Sequence, residues 1–331
     1  MKKRGRGIAS VHYGTGYGNG FPDVSTARAE VSKDGSIIIY IGATEVGQGA
    51  KTIFCQMAAE ILGVETYDIH FVCEDTSQTP DAGTAAASRQ TYNSGNAVKK
   101  AAESLRQMLV ERAQKHLQLN SIHDLALEDH WIYLKDYPKK RVHFKDLAGE
   151  GTLLVEETFT AQTVKMDEET GEGAPYWPYT FCCYGVEVEV DTETGEIQVI
   201  RGVCAQDVGK AINPELIEGQ IDGGFAMGLG YGLMEDLGLS NGEIRHSRFA
   251  NYLIPTALDV PELEKFIIED LSSTGPFGAK GIGEPVMIPA APAILNAIYD
   301  AIGIRFYEIP VTPERVLIAI KEAQKEEKHD T

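Results

Sequence analysis

The sequence predicts an α+β protein of two mixed α/β domains, residues 1–150 and 151–331, on three observations. Val186, Val188 and Val190 alternate with Glu187 and Glu189, the period-two pattern of a strand with one buried and one wet face. Elsewhere apolar side chains recur every fourth residue, as Ile53, Met57 and Ile61 do, the spacing of a helix packed along one face. Between the two groups of elements, residues 121–151 lose both periods and set the domain boundary.

The first domain begins with a glycine-rich stretch over 8–24, where Gly14, Gly16, Gly18 and Gly20 interleave with Tyr13 and Tyr17. No Gly-x-Gly-x-x-Gly register occurs there, so it reads as a loop and not as a dinucleotide fingerprint. Strands follow over 27–31 and 36–41, joined by a turn at Lys33, Asp34 and Gly35. Glu45-Val-Gly-Gln-Gly-Ala then opens a helix over 51–62, which Gly63 ends. Backbone N–H groups at such a start can cradle an anion; Gly47 and Gly49 permit close approach, and Gln48 offers a donor and an acceptor. A plain tight turn is the alternative.

A short strand at 69–72 leads through small and turn-forming residues to Ala86, Ala87, Ser88, Arg89 and Gln90. From there a long helix runs to about residue 117, with Val98, Ala102, Leu105 and Leu109 on one face. Ser88 is placed to cap it, and Arg89 can pair with a phosphate or simply face solvent. The irregular stretch holds a short strand near 130–134 and a charged turn at Pro138, Lys139 and Lys140.

The second domain opens with a strand at 153–161 and an acidic loop at 165–174. The valine-rich strand turns through 191–195 into its partner at 197–204, a hairpin. A helix over 215–236 follows, with Gln220 near its start. Gly224, Gly228 and Gly232 are four apart in it, as are Gly219 and Gly223. Each glycine costs a helix about 1 kcal/mol against alanine, so the run implies a close crossing with another element. Four glycines, at 275, 278, 281 and 283, then present Glu284 ahead of a helix whose Ile294, Ile298 and Ile302 share a buried face and which Gly303 ends. A carboxylate in that position is either a general base or a complement to the helix N-terminus. The charged tail over 322–331 reads as frayed.

A net charge of −19 argues against nucleic acid or an anionic membrane as partner. The most apolar glycine-rich run, 223–234, is too short to span a bilayer. Cys55, Cys73, Cys182, Cys183 and Cys204 show no Cys-x-x-Cys spacing, and no apolar export segment follows the basic residues 1–6. Reduced thiols and a cytoplasmic location are therefore expected.

Four of these segments, in order, resemble the motifs of the molybdenum hydroxylases, the xanthine dehydrogenase and aldehyde oxidase family. They are Glu45-Val-Gly-Gln-Gly, Ala86-Ala-Ser-Arg-Gln-Thr, Glu218-Gly-Gln-Ile-Asp-Gly-Gly and Gly283-Glu-Pro. The resemblance covers nearly the whole chain and corresponds to the C-terminal half of that family's molybdenum-binding chain. It implies two domains packed around one cofactor groove. It also implies that Glu284 is the catalytic base, and that Gly47, Gln48, Gly49, Ser88, Arg89, Gln90 and Gln220 hold molybdopterin, with Ala86 and Ala87 beside the metal. No side chain of this chain is a metal ligand on that precedent. The family's substrate-facing phenylalanine falls on Tyr17, counting back from Gln48 without gaps, with Tyr13 as competitor.

The implied cofactor is molybdopterin, taken as the cytosine dinucleotide form, with molybdenum. A second molybdopterin-binding chain is expected to supply the N-terminal half, and iron–sulfur clusters and FAD to sit on partner chains. A split of this kind is similar to the nicotinate dehydrogenase branch, which implies hydroxylation of an N-heterocycle such as nicotinate. Purine or aldehyde hydroxylation, and a non-catalytic structural chain, are the alternatives. A nucleotide-binding dehydrogenase lacks its fingerprint here.

Overall fold

The computed structural model describes residues 1–18, 21–122 and 124–329, with side chains up to residue 325. Gly20 of the glycine-rich stretch and residues 330–331 of the tail lie outside the described residues. In chain order, β1 (Lys2–Gly14), β2 (Val24–Val31) and β3 (Ile37–Tyr40) precede α1 (Ala50–Leu62) and β4 (Ile69–Val72). A single π-helical turn, Gln90–Ser94, runs into α2 (Gly95–His116). Next come β5 (Leu125–Glu128), β6 (Trp131–Leu134), β7 (Tyr137–His143), α3 (Phe144–Gly149) and β8 (Leu153–Thr160). The rest comprises β9 (Tyr179–Asp191), β10 (Ile197–Asp207), α4 (Pro214–Leu233), the pair β11 (Leu239–Ser240) and β12 (Glu243–Ile244), β13 (Leu263–Ile268), α5 (Ala290–Ile302) and α6 (Pro313–His329).

Two four-stranded sheets organise these elements, in the orders β4-β3-β2-β8 and β1-β9-β10-β13. Each has its own core. Ala27, Ala29, Ile37 and Ile39 of the first sheet pack with Phe54 of α1 and Val98, Leu105 and Leu109 of α2. In the second, Tyr184, Val186, Val188 and Val190 of β9 pack with Phe225 of α4 and Ile294 and Ile298 of α5. Strands cross the expected boundary in both directions: β1 runs antiparallel to the whole of β9, and β8 lies beside β2.

The stretch 121–151 is more regular than its sequence suggests. It forms a three-stranded sheet, β5-β6-β7, followed by α3, and Ile132, Val142, Phe144 and Leu147 join the first core. Pro138, Lys139 and Lys140 sit in edge strand β7, where charge blunts further pairing. The tail does not fray at 322, because α6 continues to His329.

The glycine run of α4 is explained in part. A Cβ at Gly224 would stand 2.6 Å from Val286 Cγ2, and one at Gly228 2.5 Å from the Ala290 Cβ, so α4 crosses the start of α5 closely there. Gly219 and Gly223 instead face open space. The two halves are tied together by Tyr92 to Thr274 (2.8 Å), Asn96 Nδ2 to Thr274 O (3.0 Å) and Asn213 Nδ2 to Gln56 Oε1 (3.2 Å).

Candidate active site in the groove between the two sheets

Between the two cores lies a groove of about 430 Å³. Gln48, Gly49, Ala86, Ser88, Arg89, Gln90, Gln220 and Glu284 all border it, so segments up to 236 residues apart in sequence (Gln48 to Glu284) converge; Gly47 and Ala87 stand next to lining residues without lining it themselves.

The loop before α1 is already filled by a carboxylate of the chain itself. Glu45 accepts from the backbone N–H groups of Gly47 (2.7 Å), Gly49 (3.1 Å) and Lys51 (2.9 Å), so the donors expected to cradle an external anion are engaged. Burial alone would raise the Glu45 pKa, but the N–H groups of Lys51, Gly49, Gly47 and Gln48 outweigh it and hold the group below its usual range. Gln48 is equally engaged. Its Oε1 accepts from Val46 N (2.7 Å), and its Nε2 donates to Thr44 O (2.9 Å) and to Gln90 Oε1 (2.7 Å), which ties the first motif to the second.

Ser88 does not cap α2. It has φ 51, in the left-handed region beside Ala87 at φ 57, and no side-chain cap begins the π turn or α2. Its hydroxyl points to the glycine loop instead, accepting from Glu284 N (2.9 Å) and donating to Glu284 Oε2. Gly281 makes this possible, since a Cβ there would lie 1.7 Å from Ser88 O.

Arg89 neither faces solvent nor has a donor left for a phosphate. It is 1% exposed, and its Nε–H donates to Asp23 Oδ1 at 2.6 Å. One terminal nitrogen donates to Ala82 O (2.6 Å) and Thr84 O (3.1 Å), the other to Val24 O (2.7 Å) and Ser25 Oγ (3.5 Å). All five donors of a guanidinium are thereby used. Arg89 braces the strained Ala87–Ser88 turn from behind.

Glu284 stands ahead of α5, whose first turn contains no acidic residue and whose N-cap, Pro289, makes no side-chain bond. Its carboxylate is therefore not complementing that helix; it faces Ser88 and the groove. The Tyr13 hydroxyl contacts Ser88 and Glu284, and burial, opposed by the Ser88 hydrogen bond and reinforced by Glu284, pushes the phenol up to about 12. Tyr17 is elsewhere: its hydroxyl accepts from Thr84 N at 2.8 Å, and its ring lies 5.0 Å from the Arg89 guanidinium carbon. Of the two tyrosines, Tyr13 is the one beside the carboxylate.

Three contributors escaped sequence reasoning. Asp23 and Glu45 are short-range neighbours of the glycine loops, and nothing local marks them as partners. Lys280 did carry a signal, a lone cation in an otherwise glycine-rich and apolar stretch. It is 7% exposed and binds Asp207 (2.8 Å) and Asp270 (3.0 Å), anchoring the loop that carries Glu284 to the end of β10. Burial alone would lower its pKa, but the two carboxylates outweigh that and raise it.

Comparison with known proteins identifies the family. Residues 1–261 match the family model described as molybdopterin cofactor-binding domain. The chain is 32% identical to the xanthine dehydrogenase molybdenum-binding subunit of Escherichia coli O157:H7, over 95% of this chain and 42% of the relative. It is 32% identical to the nicotine 6-hydroxylase large subunit of Paenarthrobacter nicotinovorans, over 89% of this chain and 37% of that one. Its fold superposes on the crystal structure of quinoline 2-oxidoreductase from Pseudomonas putida 86 with a TM-score of 0.82 and 26% identity, covering 97% of this chain and 42% of that chain. The chain thus spans 37–42% of the length of these relatives. With most of its residues inside the family match, the chain belongs to the molybdopterin cofactor-binding domain family, within the molybdenum hydroxylases of the xanthine dehydrogenase and aldehyde oxidase type.

Proposed function

We propose that this chain supplies the base-bearing half of the molybdopterin site in a multi-subunit hydroxylase of N-heterocycles, nicotinate among them, with oxygen derived from water. The observation that carries the reading is Glu284, held by Ser88 at the wall of a groove built from all four motifs.

The groove suits a pterin cofactor. Its volume of about 430 Å³ is in the range of small-molecule sites. The Gln220 side chain borders it and makes no hydrogen bond among the described residues. Gly49, Ala86, Ser88, Gln90 and Gln220 would hold the group, with Gln48 braced behind them. When bound, the molybdenum–pterin group supplies the two-electron redox chemistry.

The chain's own residues handle the proton. Ser88 fixes Glu284 Oε2 and so orients the carboxylate, which acts as the general base. Tyr13, raised to about 12, stays protonated at neutral pH and remains a donor beside it. The cytosine dinucleotide form of the cofactor, the second molybdopterin-binding chain, the iron–sulfur and flavin subunits and a cytoplasmic location belong to the same proposal. No helix among the described residues is long and apolar enough to cross a membrane.

A purine hydroxylase subunit is the second reading, favoured by the likeness to a xanthine dehydrogenase subunit. Purifying the native complex, identifying its chains and metal, and comparing turnover of nicotinate with that of xanthine decides between them. A complex without molybdenum would overturn both.

A further inference from the structure

We propose that the outer face of the β1-β9-β10-β13 sheet is the surface on which the second molybdopterin-binding chain docks. This rests on the reading above that such a chain completes the site. Helices α4 and α5 cover the inner face, where Val186, Val188 and Phe225 are buried. Nothing in the described chain covers the outer one, and away from the charged end at Glu187 and Glu189 its residues are not those of a wet face.

Strand register arranges these outward residues in rows. Ser10 pairs with Cys183, Cys183 with Ala205, and Ala205 with Phe266. One row over, Ile8 pairs with Gly185 and Gly185 with Val203. On the other side His12 pairs with Phe181 and stacks on its ring at 4.8 Å. Small residues thus form the middle of the face, at Cys183, Gly185 and Ala205. Bulky ones stand around them: Ile8 is 67% exposed, Phe181 52%, and Phe266 and Ile268 48% each. The result is a shallow trough, with a depression of about 430 Å³ over Gly185 where it meets the charged end at Arg6, Glu187 and Arg201.

Charge is confined to one end of the face and is paired within it. Arg4 bonds Glu189 (3.0 Å), Arg6 bonds Glu187 (3.0 Å), and Arg201 bonds Glu264. The remainder is an exposed apolar patch of the kind that marks a protein interface. Its shape suits an amphipathic segment with bulky side chains, which would sit on the small-residue floor. The occupant is argued from length. This chain matches relatives along nearly all of itself but only 42% of the xanthine dehydrogenase subunit, so more than half of the molybdenum-binding polypeptide of such an enzyme lies outside it.

Cys183 provides a native probe, being at the centre of the trough and partly exposed while the other four cysteines are buried. In the purified native complex, iodoacetamide should modify Cys183 at least tenfold more slowly than in the chain released from it. Cross-links from the trough should lead to the second molybdopterin-binding chain, and Ile268→Glu should weaken co-purification of that chain while the variant melts within a few degrees of wild type. Equal modification in the complex and the free chain would overturn the assignment. So would protection of the free chain that grows with its own concentration, which means a second copy, or cross-links to the flavin or iron–sulfur chain instead. A native complex lacking any second molybdopterin-binding chain would defeat the functional reading itself, whereas such a chain present with Cys183 unprotected defeats only the docking surface. If Ile268→Glu does not fold, the wild-type labelling still decides.

Discussion

Replacing Arg89 by methionine tests whether this arginine is a brace or a cofactor ligand. Methionine retains much of the side chain's length and apolar bulk but removes every donor. Asp23, 6% exposed, would lose its charged partner, and Ala82 O, Thr84 O and Val24 O would each lose a donor. Breaking a buried ion pair by removing one partner costs about 3–5 kcal/mol, most of it the price of the charge left behind. Urea denaturation of the purified variant should therefore show a loss of roughly that size, with an unchanged slope if the unfolded state is unaffected. Arg106→Met, at an exposed position on α2, is the control and should stay within about 0.5 kcal/mol of wild type. An Arg89→Met variant as stable as the control but depleted in cofactor would refute the reasoning and restore the anion-binding role that the sequence suggested.

Two other substitutions probe the loops on either side of the groove. Glu45→Gln should cost about 1 kcal/mol, the usual value of a lost helix cap. Because the folded Glu45 pKa is depressed, its contribution is present above the unfolded value of about 4.3 and disappears as pH falls through the folded one; the difference between variant and wild type should shrink in acid, and a difference independent of pH would contradict it. Gly281→Ala should displace the loop that carries Glu284, because its Cβ would collide with Ser88 O, at an overpacking cost of about 1–3 kcal/mol. Wild-type melting together with wild-type turnover in that variant would show that the loop has slack.

Elements whose buried face is lined with apolar side chains were legible, and those whose inward positions are glycine, or whose polar partners lie far off in sequence, were not. The valines of β9 alternate because one face packs on α5, so the hairpin could be read directly. Strand β1 obeys the same alternation, but two of its inward positions are Gly5 and Gly7, where a Cβ would come within 2.2 Å of the α5 backbone. With no apolar side chains at those positions, no pattern announces the strand. Similarly, β7 hides behind Lys139, Lys140 and Arg141 because it is a charged edge. At the site, Gly-Glu-Pro marked Glu284, since a lone carboxylate in a glycine loop is unusual locally. Ser88 looked like a cap because a small hydroxyl before a helix usually is one. Its true partner lies 196 residues away. Arg89 was misjudged for the same reason, its ion pair reaching back 66 residues to Asp23.

The most direct test of the central claim is turnover and molybdenum content measured on one preparation of the complex carrying Glu284→Gln. Glutamine preserves the size of the side chain and one acceptor oxygen but cannot serve as the base. The expected result is full metal occupancy with turnover lowered by about 10²–10⁴-fold, the usual value of general base catalysis. Near-wild-type turnover at full occupancy would contradict the assignment of Glu284 as the base.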